Sequence, residues 1–172
     1  MSHLPLDPVG DIFDVRIKCD RNGIAFYAFR IRDNNSEKNE CKCAPAQWAF
    51  LLTVKELGAS IFIDHTDGDA HLKLCGQMER SAGILAGRIF IGLEEGERIN
   101  YLNGDQLDFR YGNLVFGKAG RAKRGRADIY EVLLSRSIRT GDGTPEENFN
   151  RGKQLLNRAL DCLDQERDAA QL

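Results

Sequence analysis

Apolar and polar residues alternate at Val15, Ile17 and Cys19, and the apolar positions resume at Ile24, Phe26, Phe29 and Ile31 beyond Asn22-Gly23. A period of two broken by a favoured turn pair predicts a β-hairpin over residues 14–33. Residues 33–43, DNNSEKNECKC, are polar and aperiodic and read as a solvated loop. APAQWAFLLTVKELGA then carries proline near its start, an apolar face through Trp48, Leu51, Leu52 and Leu57, and Gly58 after its last turn, which predicts a helix. Ile61-Phe62-Ile63 and Leu72-Lys73-Leu74 flank Asp67-Gly68, a preferred pair for a tight turn, and predict a second hairpin.

Further along, QMERSAGILAGRIFIGL places Met78, Ile84 or Leu85, Ile89 and Leu93 at helical spacing, so a second helix closing at Gly92 is expected. DIYEVLLS, residues 128–135, reads as another strand. Thr144 and Glu147 have the spacing of a capping box ahead of a final helix. Its broad apolar side, through Phe149, Leu155, Leu156, Ala159, Leu160 and Leu163, must pack on the domain or on another chain. The expected class is α+β, antiparallel hairpins packed with two helices: one domain over 1–143 and an amphipathic C-terminal helix over 144–172.

Composition changes this picture little. With 172 residues, 42% hydrophobic and 29% charged, the chain suits a globular domain able to bury its own core. No apolar run approaches the ~20 residues of a membrane span, and the start of the sequence lacks the basic-then-apolar pattern of a secretory signal, so a cytoplasmic location is expected. Five scattered cysteines do not suggest a disulfide framework. Cys41-Lys42-Cys43 would be half of a zinc site, but no second close pair completes it.

Charge is more informative in its placement than in its total of -2. Residues 118–139 hold seven cations against two anions, whereas 145–172 hold six acids and four bases. The densest part is VFGKAGRAKRGRAD, where Lys118, Arg121, Lys123, Arg124 and Arg126 stand among small residues. Cations on a glycine-rich loop can follow a phosphate backbone closely, which points to DNA or RNA contact without base reading.

Residues 87–114, GRIFIGLEEGERINYLNGDQLDFRYGNL, carry a denser pattern: Arg88 to Leu93 as a helix, then Asn103-Gly104-Asp105, Leu107-Asp108, Arg110 and Asn113-Leu114. In order and spacing this resembles the HNH endonucleases of phage and homing type. The resemblance implies a ββα-type module near 87–120 and, in active members, a divalent metal with a histidine general base oriented by a central asparagine. Here the first-ligand position is Asn100, the general-base position Tyr101 and the orienting position Asn113. Gly87 stands where the helix usually carries histidine, and no His or Asn occurs between Leu114 and Glu147 to supply the second ligand.

A neutral amide is a poor substitute for a carboxylate around a hard cation, and tyrosine is a weak base at neutral pH. The resemblance therefore implies a degenerate module with no catalytic residue, bound metal or cofactor. The leading expectation is a nucleic-acid-binding protein that does not cleave, with Lys118, Arg121, Lys123, Arg124 and Arg126 as phosphate contacts and Arg110 in second rank. Asn103, Asp105, Asp108, Arg110 and Asn113 also read as hydrogen-bonding scaffold for the turn. One alternative is a protein-binding inhibitor or regulator of phage or mobile-element type, engaging a partner or a second copy through the C-terminal helix. A weaker one is a metal-dependent nuclease with ligands relocated to Asp64, His65 and His71, although alternation along a strand would send Asp64 and His65 to opposite faces.

Overall fold

The computed structural model describes residues 11–32, 39–66, 68–76, 83–118, 121, 124–134 and 143–171, and they form an α+β fold. The first expected hairpin is present: β1 (Ile12–Cys19) pairs antiparallel with β2 (Ala25–Ile31), with Gly23 at φ 78° in the turn. Its sheet gains a third strand, β3 (Glu40–Cys43), where the sequence predicted only loop. The reason lies in the short alternation at its end. Cys41 and Cys43 turn inward and are fully buried opposite Phe29 and Tyr27, while Lys42 stays half-exposed.

Helix α1 (Pro45–Glu56) follows at once, its proline in the first turn where no intrahelical donor is lost. Gln47 Oε1 accepts the Ala44 N–H at 2.9 Å and closes the helix start. Trp48 stacks on Tyr27, with ring centroids 5.3 Å apart, and joins the helix to the first sheet. The second hairpin, β4 (Ser60–Thr66) with β5 (Asp69–Cys75), has the expected register, and β6 (Ile84–Leu85) extends that sheet by two residues.

Two expectations need correction here. The second helix is only α2 (Ala86–Ile91), because residues 84–85 are taken by the strand pairing with Lys73 and Leu74. Met78 lies outside the described residues. Gly92 does end the helix, at φ 72°. The segment predicted as a strand over 128–135 is a 3-10 turn, Arg126–Asp128, running into α3 (Ile129–Leu134). Asp128 accepts the Gly125 N–H at 2.7 Å, and Ile129, Val132 and Leu133 then fall on one buried helical face. A set of apolar residues this short fits either period, and the cap decides for helix.

Strands β7 (Glu97–Tyr101) and β8 (Leu114–Lys118) form a separate two-stranded antiparallel sheet. The C-terminal helix α4 (Pro145–Ala170) begins with the predicted capping box: Thr144 Oγ1 accepts the Glu147 N–H at 3.2 Å, and Glu147 Oε2 accepts the Thr144 N–H at 2.8 Å. The helix lies against α1, α2 and α3, with Leu156 and Leu163 fully buried. Its apolar side thus docks on its own chain. Among the described residues no helix is long and apolar enough to cross a membrane.

The core that carries the site is a file of aromatic rings. Phe50 of α1 meets Phe90 of α2 edge-on at 6.1 Å, Phe90 meets Phe109 at 5.3 Å, and Phe109 meets Tyr101 of β7 at 6.2 Å. Such tilted contacts favour one orientation per ring, so α2 and the β7–β8 hairpin are held in register through Phe109.

Candidate nucleic-acid interface

The connection between β7 and β8 is built by side chains bonding to nearby backbone, as asparagine and aspartate do in tight turns. Asn103 Oδ1 accepts the Asp105 N–H at 2.8 Å, and Asp105 Oδ1 accepts the Leu107 N–H at 3.1 Å. Asn113, buried, accepts the Asn103 N–H through Oδ1 at 2.9 Å and donates through Nδ2 to the Asp108 carbonyl at 2.8 Å. Both ends of the Asn113 amide are occupied inside the loop.

Asp108 is the hub. Its side chain has no exposed surface, and its carboxylate accepts from Arg110 Nε and Nη2 at 2.8 and 2.6 Å and from Asn103 Nδ2 at 2.9 Å. Burial pushes its pKa up, but the hydrogen bonds and charge of Arg110 outweigh this and hold it below the ordinary aspartate value. Arg110 also lies over the Phe26 ring at 4.6 Å, so its guanidinium joins the loop to the first sheet. β3 adds a second tie. Lys42 donates its N–H to Leu107 O at 2.8 Å, accepts from Phe109 N at 2.7 Å, and pairs through Nζ with Asp105 at 3.1 Å. Gln47 donates to the Phe109 carbonyl at 2.8 Å.

At Tyr101 and Asn100 the environment differs from that of a reactive centre. Tyr101 is packed against Phe109 and the start of α2; burial, helped by the nearby Asp105 charge, raises its pKa above the normal phenol value. A general base at neutral pH needs the opposite shift. Asn100 projects on the exposed side of β7, opposite Val115. Among the described residues no three His, Cys, Asp or Glu side chains converge to hold an ion, so the donor set does not fit the divalent metal that the resemblance implies in active HNH endonucleases. Asp64 and His71 face each other across β4 and β5, whereas His65 pairs with Ala70 on the other face. Asp64 is also ion-paired to Lys73.

A groove of about 730 Å³ along β7 has Arg98, Asn100, Tyr101 and Arg121 in its lining together with Asp69, His71 and Glu97. Both Arg98 and Arg121 are exposed. The basic segment is thus divided by the structure. Arg121 is exposed, and Arg124 is half-buried with its carbonyl accepting from Arg88 Nε at 2.8 Å. Arg126 is drawn inward, ion-paired to Asp164 and bonded to the Leu160 carbonyl, where it pins α4. Lys118 closes β8 opposite Glu97, and Lys123 lies outside the described residues.

Two contributors were missed by sequence reasoning. Arg88 is buried and donates to the carbonyls of Glu94, Glu97 and Arg124, clamping the turn between α2 and β7 to the basic segment. An arginine at an inward position of an apolar helix was the available signal. Arg98 was hidden because a lone cation in an alternating strand carries no pattern of its own. No protein-family model matches the chain, and comparison with curated proteins and with solved structures returns no match.

Proposed function

We propose that this protein binds nucleic acid and does not cleave it. The observation that carries the reading is the groove along β7, whose lining includes the exposed cations Arg98 and Arg121 together with the half-buried Tyr101 at the general-base position of the resembling nucleases. Cations that line such a groove neutralise phosphates and release condensed counterions, which gives affinity without sequence reading. Arg124, Lys118 and Lys123 extend the same basic stretch along the chain. Arg110 and Arg126 serve the scaffold first, since their guanidinium groups are already paired with Asp108 and Asp164.

The resemblance of residues 87–114 to the HNH endonucleases supports the same reading, as do Asn100 and Tyr101 at the positions where active members carry a metal ligand and a general base. The test is paired. Fluorescence anisotropy with short oligonucleotides at low salt should show binding that weakens as salt rises, and supercoiled plasmid incubated with protein and Mg²⁺, Mn²⁺, Ni²⁺ or Zn²⁺ should remain uncut. Absence of binding to both DNA and RNA at low salt would remove the proposal.

A further inference from the structure

We infer that the open edge of β7 is a docking site for an extended acidic peptide, which adds to the hairpin as a third strand. The inference goes beyond the nucleic-acid reading. It concerns the same groove but rests on backbone geometry, and only the competition between the two ligands depends on that reading.

The ladder of the hairpin fixes which backbone groups of β7 are already used. Leu102 donates its N–H to the Asn113 carbonyl at 2.9 Å, continuing the register that pairs Tyr101 with Leu114 and Asn100 with Val115. Bonded and non-bonded positions alternate in an antiparallel pair. Arg98 and Asn100 therefore bond to β8, while Glu97, Ile99 and Tyr101 turn their N–H and C=O groups to the outer edge. The protein itself closes both ends of that edge. The Glu97 N–H donates to the Glu94 carbonyl at 3.2 Å, the Glu97 carbonyl accepts from Arg88 Nη1, and the Tyr101 carbonyl accepts the Gly104 N–H at 3.1 Å. The middle stays open: among the described residues nothing bonds to the N–H or C=O of Ile99 or to the N–H of Tyr101, and no other strand pairs with this sheet.

The groove follows this edge. All five residues of β7 line it, although alternate side chains of a strand point to opposite faces, so what the five share is the backbone. An extended peptide laid there exchanges two bonds with Ile99 and takes a third from the Tyr101 N–H, which is recognition by strand addition.

Register then sets the chemistry of the peptide. The residue paired with Ile99 turns its side chain to the face of Ile99 and Tyr101, where an apolar group fits, and Leu85 adds apolar surface to the lining. The residues on either side of it fall on the other face, across from Arg98 and Asn100. Opposite charges directly across strands attract, so Asp or Glu suits the place across from Arg98. Of the acids in the lining, Glu97 accepts the Glu94 N–H at 2.7 Å, which leaves Asp69 against the exposed Arg98 and Arg121. The pattern selected is alternating apolar and acidic. Its carboxylates stand where nucleic acid would present phosphates, so the two ligands exclude each other.

The experiment uses the full chain and a fluorescein-labelled peptide of alternating valine and glutamate, read by anisotropy. That peptide should bind, and the same peptide with lysine for glutamate should not. N-methylation of the valines, whose backbone faces β7, should weaken binding roughly tenfold or more, while N-methylation of the glutamates, whose N–H groups face away, should leave it nearly unchanged. Arg98→Glu, shown to be folded by circular dichroism, should prefer the lysine peptide. Unlabelled valine-glutamate peptide should release a bound oligonucleotide.

A peptide that fails to bind, binds equally well with lysine, or responds alike to both methylations overturns the edge site, as does an Arg98→Glu protein that keeps the glutamate preference. Oligonucleotide binding then judges the nucleic-acid reading separately. Peptide binding without oligonucleotide binding sinks that reading and leaves the added strand in place. Peptide and oligonucleotide bound together overturn the shared groove. A dimer in sedimentation with no peptide bound would give the edge to a second copy and overturn the proposal.

Discussion

The hydroxyl of Tyr101 lies 2.7 Å from the point where a side-chain carbon on residue 87 would sit, so the tyrosine fills the hollow that Gly87 leaves at the start of α2. Ile99 Cδ1 approaches the same point at 2.7 Å, and Phe109 at 3.5 Å. Where the resembling nucleases place one histidine on the helix and another on the strand, this chain has a glycine and a ring that pack together. Gly87 and Tyr101 thus form one packing unit, in which a side chain at 87 and the Tyr101 hydroxyl would compete for the same volume.

Gly87→Ala should therefore destabilise the protein by about 1–2 kcal/mol, because overpacking exceeds the ~1 kcal/mol that alanine returns in helix propensity. Tyr101→Phe removes one of the two equally close atoms, so Gly87→Ala with Tyr101→Phe should recover part of the loss. A double-mutant cycle from urea denaturation measures this coupling, and strictly additive effects would break the proposed pairing.

Asp108 and Arg110 test the loop. Asp108→Ala removes the acceptor for Arg110 and Asn103 in a site with no solvent access and should cost about 3 kcal/mol or more. The Asp108 pKa is depressed in the fold, so its contribution is present above the unfolded value of about 3.9 and is lost as pH falls through the lower folded value. Wild-type stability should therefore fall more steeply than that of Asp108→Asn on acidification below about pH 4. Thermal melts of both proteins from pH 6 to pH 2.5 decide it.

Glu166 tests the docking of α4 with the opposite sign. Its carboxylate accepts the Ala46 N–H at 2.6 Å at the start of α1, yet burial outweighs that bond and raises its pKa. A carboxyl raised in the fold favours the protonated form, so its stabilising contribution is complete below the unfolded pKa and is lost as pH rises through the folded one. Glu166→Gln keeps an acceptor and removes the charge. It should raise the melting temperature at pH 7 and lose that advantage near pH 4, which differential scanning calorimetry can follow.

Introducing the two side chains that the resembling nucleases carry should not create a nuclease. Asn100→Asp with Tyr101→His supplies one ligand and one base, but a metal held by a single protein ligand binds poorly. Plasmid nicking by the double variant in Mn²⁺ would show that a second ligand has been overlooked.

What the sequence revealed depended on how local each signal was. The hairpins at 22–23 and 67–68, α1 and the capped start of α4 each carry their turn or cap chemistry within a few residues, and all were legible. The strand Glu40–Cys43 was not, because only two inward cysteines mark it and its partner is β2. Residues Ile129–Leu134 fit either period, and the Asp128 bond to Gly125 sets the helix. Within the site, the scaffold roles of Asn103, Asp105, Asp108 and Asn113 follow from short-range bonding and could be read directly. The division of the cations could not, since Arg126 meets Asp164 across 38 positions of sequence and Arg88 meets Arg124 across 36.

The central claim is that exposed cations on the β7 groove bind nucleic acid through phosphate. Its most direct measurement is the salt dependence of oligonucleotide affinity for the wild type and for Arg98→Ala with Arg121→Ala, by anisotropy at several salt concentrations. Each phosphate contact contributes about -0.7 to -0.9 to the slope of log K against log salt, so the double variant should bind every sequence more weakly and flatten that slope by roughly 1.4 to 1.8. A double variant with wild-type affinity and wild-type slope would contradict the account.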